Sequence, residues 1–183
     1  NKRAKVVGNH TIRWVVDSDV TKAEVMAKAF PPAQPSNSWH HVIEDDAVDV
    51  VFVATPHKQL APITLSAVKA GKHVLVEKPG ALNVEELEPI ITEVKQRGVC
   101  LKVGFNHRYH PAFIKAKEIV DSRGLGPLMF IRARYGHGGR IAYEKEWRAN
   151  PEISGGGELM DQGAHLIDLS RWFLGDFKEV YGF

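Results

Sequence analysis

Lys78 stands in "GKHVLVEKPG", residues 71–80, where an apolar run ends in an acid, a base and a proline. Val and Leu suit a strand interior, but a Glu-Lys pair followed by Pro does not continue a buried strand. Glu77 and Lys78 therefore fall at a strand exit, and Pro79 fixes the backbone just beyond them. Asp17 and the triplet Thr55-Pro56-His57 end two other apolar runs in the same way. A second constellation lies in "GGGELMDQGAH", 155–165, continuing to Asp168. On an α-helix Asp161, His165 and Asp168 occupy i, i+4 and i+7 and share one face, apart from Leu166, Leu169 and Phe173. Histidine exchanges a proton near neutrality, and a neighbouring carboxylate raises its basicity and orients its ring. Gly155, Gly156 and Gly157 permit close approach of backbone to a ligand. A solvated Glu77-Lys78 pair and a buried, hydrogen-bonded Asp-His pair are the structural alternatives. Metal binding is not expected, because H-E-x-x-H and cysteine clusters are absent.

The elements that must position these groups alternate. Strands are expected at 12–16, 48–54, 73–77 and 99–105, and helices at 21–30 (N-cap Thr21), 59–70 and 84–97. Pro31, Pro32 and Pro35 call for a loop, Gly71 and Gly98 stop helices, and Pro89 kinks the third helix or delays its start. The nearly continuous apolar run 48–54 predicts a parallel strand covered on both faces. The expected fold class is α/β, a partial Rossmann doubly wound parallel sheet. Ligands of such sheets lie beyond the carboxyl ends of the strands, where Asp17, Thr55 and Lys78 fall. Asp17 takes the place of the ribose-binding acid that follows a glycine-rich turn by about 20 residues. Residues 1–8 read as a helix end stopped by Gly8, so that turn and the first strand are missing and the chain reads as a fragment. After residue 106 the pattern changes: a helix at 110–124, an alternating strand at 128–136, a glycine-rich charged loop at 136–158, a helix at 160–175 and a strand from Lys178. The expected domains are 1–106, which binds a dinucleotide, and 107–183, the start of a second unit.

Composition narrows the function classes. The 183 residues are 44% hydrophobic and 25% charged, with a net charge of +2 and no basic run, which gives nucleic-acid binding little electrostatic support. No apolar stretch approaches the roughly 20 residues of a membrane span, and the N-terminal "NKRAKVVGNH" does not read as a signal peptide, because no apolar segment follows its charges. The one cysteine, Cys100, is expected in the core; it fits a reducing compartment, and the expected location is the cytoplasm.

The segments "AGKHVLVEKP" (70–79) and "SGGGELMDQGAHLIDL" (154–169), with "VDVVFVATP" (48–56), "VGFNHRYHPAF" (103–113) and "EWR" (146–148) in the same order, resemble the glucose–fructose oxidoreductase / inositol dehydrogenase / MocA family. The resemblance implies a Rossmann domain holding NAD or NADP, followed by an α/β domain with a mostly antiparallel sheet. That second domain would form the substrate site and the interface of a homodimer or homotetramer. It implies that Lys78 contacts substrate and nicotinamide, and that Asp161 and His165 complete the catalytic set. Thr55, Pro56, His57, Glu77, Asn106, Trp147 and Arg148 would line the cofactor. Substrates would be sugars, polyols or nucleotide-activated sugars.

Alcohol oxidation sends a hydride to nicotinamide and a proton to a base. His165 is of the type to take the proton, and protonated Lys78 would steady the developing alkoxide. Asp161 would hold the imidazole or bind a substrate hydroxyl, and Tyr143 is a candidate assistant. Asp17 favours NAD, by accepting from ribose hydroxyls and repelling a 2′-phosphate, while Ser18 and Lys22 keep NADP open. Three positions depart from the family pattern: His57 and Leu60 replace the usual Asn and His, and His107 stands where arginine is common. Two other readings use the same scaffold: an NAD-dependent glycosidase working by transient oxidation and elimination, and a cofactor-binding regulator without turnover.

Overall fold

The structure is a computed structural model, described here for residues 10–136 and 141–182. The helix end and Gly8 stop expected at 1–8 lie outside the described residues, as does part of the 136–158 loop. Among the described residues there are two parallel ladders. β1 (Trp14–Val16) pairs with β2 (Gln34–Ser36), and β3 (Val50–Val53), β4 (His73–Val76) and β5 (Leu101–Val103) pair in that order. Both ladders are all-parallel and joined by helical crossovers, as doubly wound sheets are.

The helices of this half are α1 (Val20–Ala27), α2 (His40–Glu44), α3 (His57–Lys69) and α4 (Val84–Arg97). Asp19, not Thr21, caps α1, its carboxylate accepting from the Thr21 amide at 3.1 Å, and the helix stops before Ala29 and Phe30. Pro35 does not simply end a loop: it lies in β2 opposite Val15, at the sheet edge where its missing N–H is tolerated. Asn83 caps α4 by accepting from the Glu86 amide, so Pro89 does not delay its start, and the helix continues through it to bury Ile90. Gly71, at φ +76°, follows the end of α3 as expected, and Gly98, at φ +67°, caps α4.

β3 and β4 corrects the expectation of two covered faces. Val51, Val53, Val74 and Val76 bury one face against Leu60, Ile63, Ala67 and Val68 of α3. Val50, Phe52 and Leu75 on the other face are exposed. Cys100 is also exposed, just before β5, so it is not a core residue. What the register does is level the strand exits. Val53, Val76 and Val103 are in line, with the Glu77 amide donating to the Val53 carbonyl at 2.9 Å and the Gly104 amide to the Val76 carbonyl at 2.7 Å. A side chain on Gly104 would meet the Glu77 carboxylate at 3.1 Å, so this exit is tight.

The later half contains α5 (Pro111–Asp121), α6 (Pro151–Ser154) and α7 (Ala164–Leu174), with a π-helical turn over Leu159–Gly163 leading into α7. The strands expected at 128–136 and from Lys178 do not form ladders among the described residues. A strand is made by its partner, and alternation alone leaves Met129 and Phe130 exposed and outside any ladder.

Candidate active site

The levelled exits deliver their residues to one cavity of about 400 Å³. Thr55, Pro56 and His57 enter from the end of β3 and Glu77 and Lys78 from the end of β4, while Trp147 and Arg148 close the far side. The order of elements explains the convergence: both exits open toward the 3₁₀ turn Trp147–Ala149, and α6 packs on α3. His57 is buried and donates from Nδ1 to the Ser154 carbonyl at 2.8 Å, which ties α3 to the end of α6. Its ring meets Trp147 edge-on at 4.8 Å, and the Arg148 guanidinium lies 4.4 Å over the Trp147 ring. Burial, followed by the charges of Lys78 and Arg148, lowers the His57 pKa against the opposing pull of the Ser154 carbonyl and Asp161. The imidazole is therefore neutral at pH 7.

Lys78 spans the two halves of the chain. Its ammonium donates to the backbone carbonyl and to the carboxylate of Asp161 in the π turn. The Arg148 guanidinium stands 3.6 Å from the other Asp161 oxygen. Burial is the largest influence on Asp161 and favours its neutral form, but Lys78 and Arg148 together outweigh it and hold the carboxyl below its usual pKa. The pair is nearly enclosed, with side-chain exposures of 14% for Lys78 and 9% for Asp161.

His165, one turn further along, is 5% exposed, and its Nδ1 has no hydrogen-bond partner. The expectation that Asp161 holds this imidazole is corrected: Asp161 gives its carboxylate to Lys78. The expected rise in His165 basicity is corrected too. Burial, then the charges of His107 and Lys78, push its pKa down to about 4 against the pull of Asp161 and Asp168. Asp168 turns to Arg108, which donates to it through two nitrogens at 2.8 and 2.6 Å. The three residues expected on one α-helical face thus meet three different partners. The π turn widens the helix where Asp161 sits.

Gly155 approaches Leu82 closely: the Leu82 Cδ2 would lie 2.7 Å from an added Cβ. Asp17 and Ser18 follow β1 in the other ladder, where the Asp17 carboxylate accepts from the Asp19 amide at 2.9 Å. Asn106 is exposed and accepts from His107 at 3.0 Å. None of these three lines the cavity. Tyr143 lies in a 3₁₀ turn shortly before Trp147. Ser154, Tyr135 and Arg108 are not among the expected site residues, and His107 is there only as a departure from the family pattern. The run "NHRYH" was the available signal, since two histidines and an arginine just past a strand exit are costly to bury without partners.

Residues 2–105 match the family model described as an oxidoreductase family with an NAD-binding Rossmann fold, and residues 113–183 match the GFO/IDH/MocA C-terminal domain. The chain belongs to the Gfo/Idh/MocA oxidoreductase family. Among relatives in this family, levoglucosan dehydrogenase of Pseudarthrobacter phenanthrenivorans is 30% identical over 91% of the chain and 43% of its own length. A scyllo-inositol 2-dehydrogenase (NAD(+)) of Bacillus subtilis is 29% identical over 87% of the chain and 44% of its own length. The solved structure of levoglucosan dehydrogenase in complex with NADH and levoglucosan matches at a TM-score of 0.79 and 28% identity, covering 91% of this chain and 46% of that one. GenD2 from gentamicin A biosynthesis, in complex with NAD, matches at 0.76 and 31% identity over 90% of this chain and 46% of that one. The chain spans about half the length of the curated relatives it matches. The residues at the cavity fit a nicotinamide: the Thr55 hydroxyl is buried without a hydrogen-bond partner, and the strand exits leave room beside it.

Proposed function

We propose that this chain carries the cofactor half and the reacting groups of an NAD(P)-dependent dehydrogenase that interconverts a secondary alcohol and a ketone on a sugar or polyol. One observation carries the reading: Lys78, from a Rossmann strand exit, is joined through Asp161 to the segment that bears His165, beside a cavity of nicotinamide size. Nicotinamide, when bound, supplies the hydride acceptor or donor. Thr55, Pro56, His57 and Glu77 would lie along it, backed by Trp147 and Arg148.

Lys78 has three N–H donors, of which Asp161 takes two. The third is left for the substrate oxygen, where the ammonium lowers the energy of the forming alkoxide. Neutral His165 accepts the hydroxyl proton, a contribution of about 10²–10⁴-fold at correct geometry. Asp161 holds the Lys78 charge in place and keeps it from bulk water. Asp17 at the end of β1 favours NAD over NADP by repelling a 2′-phosphate. The boundary between the two domains falls near residue 106.

The test is a panel of sugars and polyols offered to the full-length protein with NAD⁺, read by NADH absorbance. Turnover of at least one cyclic polyol or sugar is expected, lost in Lys78→Met while NAD⁺ binding by calorimetry persists. Turnover that survives Lys78→Met would overturn the role given to Lys78.

A further inference from the structure

His165 raises a question of orientation. It is buried and its Nδ1 bonds to nothing, so no hydrogen bond at that nitrogen aims the ring. Rings surround it instead. His107 lies with its centroid 3.8 Å away at an interplanar angle of 44°, and Phe105 and Tyr135 stand edge-on at 6.4 and 6.3 Å. His107 is itself held at both nitrogens: Nδ1 donates to the Asn106 side-chain carbonyl at 3.0 Å, and Nε2 accepts from the Tyr135 hydroxyl at 3.3 Å.

We infer that His107 is a positioning residue for His165: clamped by Asn106 and Tyr135, it packs on the second imidazole and keeps that ring uncharged. Two imidazolium rings at this separation, in a partly dry site, cannot both be charged without strong repulsion. The pair therefore titrates as a unit, the first proton opposing the second. His107 is the half-buried member and His165 the buried one, so the first proton goes to His107. Lys78 from the β4 exit opposes protonation of both rings, and His110 opposes that of His107. Asp168 of α7 opposes at both rings, and Asp161 of the π turn opposes at His165. The net result matches the pKa of His165, which burial and then His107 depress. His165 is thereby ready to accept a proton across the whole neutral range.

This inference rests on the reading of His165 as the base only for its effect on activity; its electrostatic content stands apart. The experiment follows the His165 ring by NMR titration of the full-length protein, its signal assigned by loss in His165→Gln. His107→Phe keeps a ring and removes the charge, and is expected to raise the His165 titration point by about one pH unit. His107→Arg, with a permanent charge, is expected to leave it unchanged or lower. His107→Gln, which also lacks a titrating group, should repeat the upward shift if the Phe variant folds poorly. The acid limb of kcat/KM should move to higher pH in step with the Phe variant's titration. An unchanged His165 titration in both uncharged variants would overturn the inference. A shifted titration with an unmoved acid limb would uphold it and remove His165 from the role of base.

Discussion

The Lys78–Asp161 pair makes a prediction whose size changes with pH. Both side chains are nearly enclosed, at 14% and 9% exposure, so neither charge is well served by water once the other is gone. Lys78→Met removes the ammonium and leaves the carboxylate with Arg148 at 3.6 Å as its nearest remaining cation. Breaking a buried pair from one side costs about 3–5 kcal/mol, and Arg148 places this site at the lower end, about 3 kcal/mol at pH 8. In the wild type the Asp161 pKa is lower folded than unfolded. The unfolded chain binds more protons as pH falls, so the pair's stabilisation is present above the ordinary value of 3.8 and is lost through the lower folded value. In the variant burial is opposed chiefly by Arg148, with a smaller pull from His57, so the folded pKa rises and acid relieves the penalty. Urea denaturation at pH 8 and pH 5 reads the difference: the gap between wild type and variant should narrow toward pH 5. Adding Asp161→Asn to the variant should recover most of the loss at pH 8. A gap that is equal at both pH values and untouched by Asp161→Asn would show that packing, not charge, sets the cost, and would refute the reasoning.

Three other outcomes are expected. Gly155→Ala must hold φ near +81° and place Cβ against Leu82, which should destabilise the protein by about 1–2 kcal/mol in thermal or urea melts, with Leu82→Ala relieving the contact but not the backbone strain. Arg108→Ala deprives buried Asp168 of both its guanidinium bonds and should cost about 2 kcal/mol, much less in an Arg108→Ala/Asp168→Asn double variant. His165 is buried neutral with its pKa near 4 rather than 6.5, so the unfolded chain takes up its proton first; stability should fall as pH drops from 6.5 toward 4, and His165→Gln should flatten that part of a stability–pH curve.

Much of the fold was legible because local chemistry and global topology agree in it. Apolar runs bounded by Gly, Pro and charged residues placed β3, β4 and β5, and strand–helix alternation implied parallel ladders. The strand exits then named Thr55, His57, Glu77 and Lys78 as a group, since in such a sheet all exits face one way. Where the pattern needed a partner to be realised, it failed. Alternation at 128–136 makes no strand without a ladder, and the apolar pattern of β3 cannot say whether its second face is covered.

The amino-acid sequence by itself determined the α/β class, the strand exits and the identity of the ionisable groups near them, because periodicity and turn residues act within a few positions of the chain. Only the tertiary structure decided how those groups pair. Lys78 takes Asp161, Arg108 takes Asp168, and His165 is left to His107, over separations of 83, 60 and 58 residues. Helical spacing predicted a shared face, but burial decides charge: a carboxylate in a dry site goes to the cation that can reach it, and an imidazole without such a partner gives up its proton.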